Sequence, residues 1–296
     1  MKGTWRSTVR AELYLAFHNK FFLVTFLMMC AFAVFGVFYM ADARESGFEM
    51  WRQYRFDENG VPLLSLFIPA TTLYCKWLGG DAGQFTTAAF YFLAFLACAV
   101  PFSWSLLVEK KNCYDTQMVL RCGRGNYYFS KYLSAFLSGA TVVAAPLLLN
   151  FLLSACFVPA FKPESYASLY YGITSTYLWH SLFLTAPVLY VLLYILLAGV
   201  MTGLWATVGV SVSFLARNRF AVIIVPYLAL LFFHVFWNSF AASSFGIYTQ
   251  LSPIYFILPR EMEYPNNPYV ILCWVLAILL LHVIVWRKKG WRNDVL

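Results

Sequence analysis

Ionisable and turn-forming residues are concentrated in one stretch of this sequence, from position 109 to position 132. The stretch reads EKKNCYDTQMVLRCGRGNYYFSKY, and long apolar runs lie on both sides of it. Charged side chains of this kind either pair with a protein partner or stay solvated. What the stretch contacts is therefore the first question that the sequence raises about function.

Motifs for catalysis within the chain itself are missing. No G-x-x-x-x-G-K-[ST] loop for nucleotide phosphates occurs, since GRGN at 123–126 is too short and GGDAG at 79–83 lacks the lysine. There is no HExxH motif, and Cys113 and Cys122 have no histidine nearby at the spacing of a zinc site. We therefore expect no catalytic residue, cofactor site or metal site, and no enzyme activity in this chain.

Three polar residues inside apolar runs are candidates for a transport pathway: Asn150, His234 and Asn238. Each is also explained by a hydrogen bond to a neighbouring helix, which is the simpler interpretation. The apolar cores contain no Asp, Glu, Lys or Arg, whereas ion-coupled transporters normally keep ionisable groups there. We therefore expect any energy source to reside on another polypeptide.

The composition predicts an all-α integral membrane protein with one transmembrane domain, residues 1–296. The chain is 61% hydrophobic and only 11% charged, with a mean hydropathy of +0.68. A helix needs about 20 apolar residues to cross a bilayer. Six runs are long enough. The fourth run begins at 182, and we expect its part before Pro187 to lie at the interface or to extend outside the bilayer. The six predicted spans are 21–40, 88–108, 133–158, 190–215, 220–240 and 269–286.

The region 41–86 is predicted to lie outside the membrane. Within it, 61–75 is apolar but short and contains two prolines, so we interpret it as re-entrant or interfacial rather than as a seventh span. A signal peptide at 21–40 is the weaker alternative, because its apolar part is too long. The sequence does not decide whether Cys75 forms a disulfide with Cys156 or with Cys273.

The charge distribution predicts that both termini are cytoplasmic, in a multi-pass protein of the plasma membrane. Most of the 21 lysines and arginines fall in 1–20, 109–132, 216–219 and 287–296, whereas most of the 13 acidic residues fall on the other side. Positive residues are retained on the cytoplasmic side. The net charge of +8 thus follows from topology and does not indicate a nucleic-acid partner.

Within the 109–132 stretch, the pattern predicts a short helix. Asp115 is placed as its N-cap, and Gly123 is a glycine stop. Met118, Val119 and Cys122 fall on one face, with Tyr114 one turn earlier. So short a helix is marginal alone in water, so it must dock on something. Gly125 follows as a further break, and Asn126 is placed to begin the next helix.

An amphipathic helix is predicted at 5–20, before the first span. Trp5, Val9, Leu13 and Phe17 recur every four residues, opposite arginines. This pattern suits a helix that lies in the cytoplasmic interface of the bilayer.

Taken together, these features resemble the membrane subunit of ABC-2 type (type V) ABC transporters. The points of resemblance are the interfacial "elbow" helix at 5–20, six spans, a coupling segment that begins with Glu109, a short second cytoplasmic loop at 216–219, and an apolar outer segment at 244–259. The family commonly has an acidic residue and then a small residue at the entrance to the coupling helix. Glu109 fits this pattern, and Cys113 replaces the small residue.

The resemblance implies a permease of an exporter that works with a separate ATP-binding cassette subunit carrying ATP and Mg²⁺. A second permease, identical or similar, would complete the pathway in the lipid bilayer. A non-transporting sensor or assembly subunit and a secondary transporter are the alternatives. The residues expected at the contact with the ATP-binding subunit are Glu109, Tyr114, Asp115, Met118, Val119, Arg121, Cys122, Arg124 and Arg217.

Overall fold

Helices make up the fold, and no strand occurs among the residues that the computed structural model describes. Those residues are 5–53, 71–80, 84–165, 171, 173, 175–241, 244, 246, 248–259 and 264–290. In chain order the helices are α1 (Trp5–Phe17), α2 (Lys20–Gln53), α3 (Phe85–Ala97), α4 (Ser105–Lys111), α5 (Tyr114–Cys122), α6 (Arg124–Ser154), α7 (His180–Thr185), α8 (Pro187–Val212), α9 (Arg219–Phe236), α10 (Pro253–Phe256) and α11 (Pro268–Val285). Two π-helical turns extend α9 and α11, at Trp237–Ala241 and Trp286–Gly290.

Five of the described helices are long and apolar enough to cross a membrane, which confirms the prediction of a multi-pass, all-helical protein. They correspond to the first, third, fourth, fifth and sixth predicted spans, and they cover Lys20–Ser46, Arg124–Ser154, Pro187–Val212, Arg219–Phe240 and Pro268–Lys288.

The second predicted span, 88–108, is not one continuous helix. α3 ends at Ala97, seven residues form turns, and α4 begins at Ser105. Pro101 lies within this interruption, and proline has no N–H to donate to the preceding turn. Side chains from elsewhere in the fold bond two of the backbone carbonyls in the break.

Side chains from two other parts of the fold donate hydrogen bonds to backbone carbonyls in this interruption. Asn19 Nδ2 donates to the Pro101 carbonyl at 3.1 Å, and Ser213 Oγ donates to the Ser103 carbonyl at 3.0 Å. Ser103 Oγ in turn donates to the Ala206 carbonyl in α8, at 2.7 Å. Irregular backbone at membrane depth is tolerated where protein groups satisfy it in this way.

The helix ends gather at two opposite ends of the bundle. One end, here called the basal end, holds α1, α4, α5, the start of α6, the 213–218 loop and the end of α11. Ring contacts that join these parts are Phe21–Trp104, Tyr128–Phe214 and Tyr132–His282. The opposite end is joined by hydrogen bonds such as Arg44 to the Phe157 carbonyl and Tyr190 to the Pro259 carbonyl.

Most of the predicted outer segment 61–75 lies outside the described residues. Its last part, 71–75, forms turns, in which Cys75 is buried. None of the seven cysteines, all of which the structure describes, is in a disulfide bond, so neither disulfide that the sequence left open is formed.

Small residues set the close packing of α6 against α8 in the centre of the bundle. A Cβ atom added to Gly139 would lie 2.6 Å from the Ala206 Cβ, and one added to Gly203 would lie 2.8 Å from the Phe136 carbonyl oxygen. Both distances are shorter than van der Waals contact. Helices in membranes commonly associate through small residues, which let the backbones approach.

We predict that Gly139→Leu destabilises the folded protein by about 3 kcal/mol, since overpacking a close-packed core typically costs about 1–3 kcal/mol and here a carbonyl is also displaced. Thermal unfolding in detergent measures this. Gly125→Leu is the matched control, because a Cβ atom added to that exposed glycine meets no atom within 4 Å. Equal midpoints for the two variants would contradict the packing described here.

Candidate functional site

The short helix α5 lies at the basal end between two backbone reversals. Cys113 precedes it with φ 54°, and Gly123 follows it with φ 84°. Positive φ is unusual for a residue other than glycine, so the first reversal is a constrained turn. The predicted glycine stop is confirmed. The predicted N-cap at Asp115 is wrong, because the helix begins at Tyr114 with Cys113 in the capping position; Asp115 instead lies in the first turn, where a carboxylate is favourable.

The next helix also begins earlier than the sequence indicated. α6 starts at Arg124, directly after Gly123, and not at Asn126. Asn126 Nδ2 donates back to the Cys122 carbonyl at 3.0 Å, which bonds one carbonyl at the end of α5. The side chain therefore joins the two helices and does not cap the second.

One face of α5 packs against the protein's own core. Met118 and Val119 are half-buried and Cys122 is buried, all three against a cluster that we call the basal cluster. Its buried members are Ala16, Phe102, Leu106, Cys122, Tyr127, Tyr128, Ala135 and Val210. The helix is thus docked, as its length requires, but the face that the sequence predicted for a partner is turned largely inward.

The opposite face of α5 is open and carries an exposed leucine. Leu120 is 82% exposed and Tyr114 is 41% exposed. Gln117 and Arg121 are exposed beside them, and together the four residues form what we call the outer face of α5. Amphipathicity could not assign this face, because α5 has apolar residues on both sides and only tertiary contacts decide which is covered.

A buried lysine fixes the helices around α5. Lys131, in the second turn of α6, is 0% exposed and lies 2.6 Å from Glu12 of α1. Its ammonium group also donates to Glu109 at the end of α4, and the Tyr127 hydroxyl donates to the other Glu109 oxygen. The lysine additionally lies over the Phe102 ring, 4.9 Å from its centroid. Glu109, expected at a partner contact, therefore has its carboxylate bound internally.

Glu12 reaches this lysine because it lies on the face of α1 that packs against the bundle. Thr8, Glu12 and Ala16 are the buried residues of α1, whereas the predicted apolar stripe lies beside them and its first member, Trp5, is 46% exposed. Burial raises the pKa of the Glu12 carboxyl, and the charge of Lys131 opposes that effect. The sequence missed Lys131 as a site residue, because a lysine before a span fits positive-inside retention equally well.

The remaining predicted residues occupy separate places. Asn150 donates to the Ala33 carbonyl at 2.7 Å and accepts from the Leu78 N–H at 2.8 Å, so its amide clamps α2, α6 and the 71–80 turns. Arg217 is exposed in the 213–218 loop at the basal end. Arg124 is exposed at the start of α6.

His234 and Asn238 do come together, near the opposite end. His234 Nδ1 lies 2.6 Å from Ser252 Oγ, and Asn238 Nδ2 lies 3.5 Å from His234 Nε2. Both His234 and Ser252 are buried. A role for these groups in a pathway stays a prediction, since interhelical hydrogen bonding accounts for the contacts.

Across the described parts of the chain, no three His, Cys, Asp or Glu side chains meet in a way that could hold a metal ion. Comparison of the chain with protein families, with curated proteins and with solved structures gives no match. The basal end with the outer face of α5 is the candidate site that the geometry defines.

We predict that Lys131→Met destabilises the protein by about 3–5 kcal/mol, because it leaves the buried carboxylate of Glu12 and the partly buried carboxylate of Glu109 without their cation. Thermal unfolding in detergent measures the loss. Adding Glu12→Gln and Glu109→Gln to the same variant should recover much of it, since no uncompensated charge then remains. A single Lys131→Met variant as stable as the parent would contradict the account of this cluster.

A second prediction concerns pH. Because the pKa of Glu12 is higher in the folded chain than in the unfolded chain, the folded state binds that proton more tightly. The resulting stabilisation is complete below the unfolded-state pKa and is lost as pH rises through the folded-state pKa. The Glu12→Gln variant cannot bind this proton, so its stability should not depend on it. Between the two pKa values we therefore expect the unfolding midpoint of the parent to fall more than that of the variant as pH rises. Parallel curves would show that Glu12 is not desolvated.

Proposed function

We propose that the protein is the membrane-spanning permease subunit of an ABC transporter of the ABC-2 type, an exporter powered by a separate ATP-binding subunit. The observation that carries this proposal is the outer face of α5. It presents Leu120, 82% exposed, on a helix whose other face is packed on the bundle. Such a helix offers a partner an apolar contact that is firmly connected to the membrane helices.

The proposal includes six membrane crossings, with the interrupted segment 85–111 as the second. Contacts of this segment support a passage from one end of the bundle to the other. Phe92 of α3 contacts His234, near the end opposite α5, Phe95 contacts Trp205, and Glu109 binds Lys131 at the basal end. An even number of crossings puts both termini on one side, and the basic segments at the basal end favour the cytoplasm as that side. The membrane that we propose is the plasma membrane.

The way in which α5 is attached suggests how coupling would work. ATP-driven closure of the partner subunits would push on the outer face of α5. The basal cluster and the Glu12–Lys131–Glu109 contacts would pass that displacement to α1, α4 and α6. Coupling of this kind requires an element with two arrangements that a remote ligand biases. A second permease subunit would then complete the pathway between the two copies.

Leu120→Asp tests this function directly. Burying a leucine in an interface contributes about 1.5–3 kcal/mol, and each 1.4 kcal/mol is tenfold in affinity. We therefore expect at least about tenfold weaker association with the ATP-binding subunit, and a similar loss of transport-coupled ATP hydrolysis, at unchanged membrane level and unfolding midpoint.

Two further variants make that experiment specific. Asn112→Asp places the same charge at an exposed position before α5 and should leave association intact. Met118→Asp should also lower the unfolding midpoint, because Met118 packs on the basal cluster. Normal coupling in Leu120→Asp would remove the main support for the proposal, and gradient-driven uptake by the purified chain alone would identify a secondary transporter instead.

Topology can be tested with two exposed, free cysteines at opposite ends of the bundle, Cys113 and Cys156. A thiol reagent that does not cross membranes should label Cys156 in intact cells and Cys113 only after permeabilisation. Single-cysteine versions keep the two signals apart, and buried Cys75 serves as an unlabelled reference. Labelling of Cys113 in intact cells would show that the orientation is opposite to the one proposed.

A further inference from the structure

A half-open cleft at the basal end lies between the start of α6 and the end of α11. Its volume is about 290 Å³, near the lower end of the range for small-molecule sites, about 300–1,000 Å³. The lining residues are Gly125, Tyr128, Phe129, Tyr132, His282, Val283 and Trp286. Almost all of this surface is apolar or aromatic, so the cleft suits a hydrocarbon chain better than a polar metabolite.

The polar atoms of His282 and Tyr132 in the wall of the cleft are bonded within the protein. The two ring nitrogens of His282 lie 2.7 Å from Thr207 Oγ1 and 2.8 Å from Ser211 Oγ, and the Tyr132 hydroxyl lies 2.9 Å from the same Ser211 oxygen. These groups hold α6, α8 and α11 together at the cleft. An occupant therefore needs to offer them no hydrogen-bonding group.

Basic residues are direct sequence neighbours of two cleft-lining residues, Gly125 and Trp286. Arg124 precedes Gly125, while Arg287 and Lys288 follow Trp286, and all three are exposed. Asp115 and Arg124 act on the Tyr128 phenol with opposite sign, and the effect of Asp115 is the larger of the two. The positive charge next to the cleft therefore depends on Arg287 and Lys288 in addition to Arg124.

We propose that this cleft binds an anionic glycerophospholipid, with an acyl chain among the aromatic side chains and the phosphate against Arg124, Arg287 and Lys288. Charge complementarity selects this occupant, because a hydrocarbon-lined cleft rimmed by cations matches a molecule with an apolar chain and an anionic head. Basic pockets between membrane helices on the cytoplasmic side recognise such head groups. The bound lipid joins the first turn of α6 to the end of α11, and it thereby stabilises the base on which α5 is mounted.

The chain also offers a way to block the cleft without changing its charge. Gly125 has no positive φ angle, and a Cβ atom added there meets no atom within 4 Å. Leucine at this position is also a better helix former than glycine. Gly125→Leu should therefore fold normally and fill the space that the acyl chain occupies.

The experiment uses the full-length purified protein in a detergent without added lipid, with unfolding midpoint and native mass spectrometry as readouts. Three probes are added separately: dioleoylphosphatidylglycerol, dioleoylphosphatidylcholine and glycerol 3-phosphate. We expect phosphatidylglycerol to raise the midpoint and to remain bound as a one-to-one adduct. Phosphatidylcholine lacks the net negative charge and glycerol phosphate lacks the chain, so each should do so at least about tenfold more weakly.

Matched variants decide whether this cleft is responsible. Gly125→Leu and the double variant Arg287→Gln with Lys288→Gln should both lose the preference for phosphatidylglycerol by at least about tenfold, since each basic residue near an anionic lipid surface contributes about fivefold. Lys162→Gln, an exposed change at the opposite end of the bundle, should keep it. The proposal is overturned if the two lipids act equally, if glycerol phosphate alone reproduces the effect, or if the variants bind phosphatidylglycerol as the parent does.

Discussion

A single buried cation, Lys131, determines how the basal end of this protein is held together. A lysine that is 0% exposed is costly to bury, and it is tolerated only when anionic groups compensate its charge. Glu12 and Glu109 supply that compensation from two different helices. Because the lysine belongs to α6, the ends of α1 and α4 are fixed to the start of α6, and α5 is confined between the two helices that flank it.

The interruption of the second membrane segment has a related consequence. A regular helix without proline would bond its carbonyls internally, whereas two carbonyls of the broken segment accept from Asn19 before α2 and Ser213 after α8. The position of α4, and therefore of α5, is thus linked to three other parts of the bundle. In the proposed transporter, a displacement of α5 would therefore be transmitted to several membrane helices at once. The links are side-chain hydrogen bonds and the Glu12–Lys131–Glu109 ion cluster.

Much of the architecture was predictable from the sequence, because hydropathy and length identify membrane helices almost independently of tertiary contacts. Five predicted spans are long helices, and the glycine stop at Gly123 is where the sequence placed it. The candidate site was harder to predict from the sequence. The inward orientation of Met118 depends on residues of other helices, and the partnership of Lys131 with Glu12 joins positions far apart in the chain.

The central claim is that the outer face of α5 docks on an ATP-binding subunit, and site-specific photo-crosslinking in native membranes tests it most directly. A photoreactive residue in place of Leu120 would be compared with one in place of Leu152, which is 57% exposed on α6. The account predicts that position 120 crosslinks to a protein with a P-loop and ATPase activity, and that position 152 does not. Absence of any nucleotide-binding protein from the products at position 120, in membranes where transport is active, would contradict it.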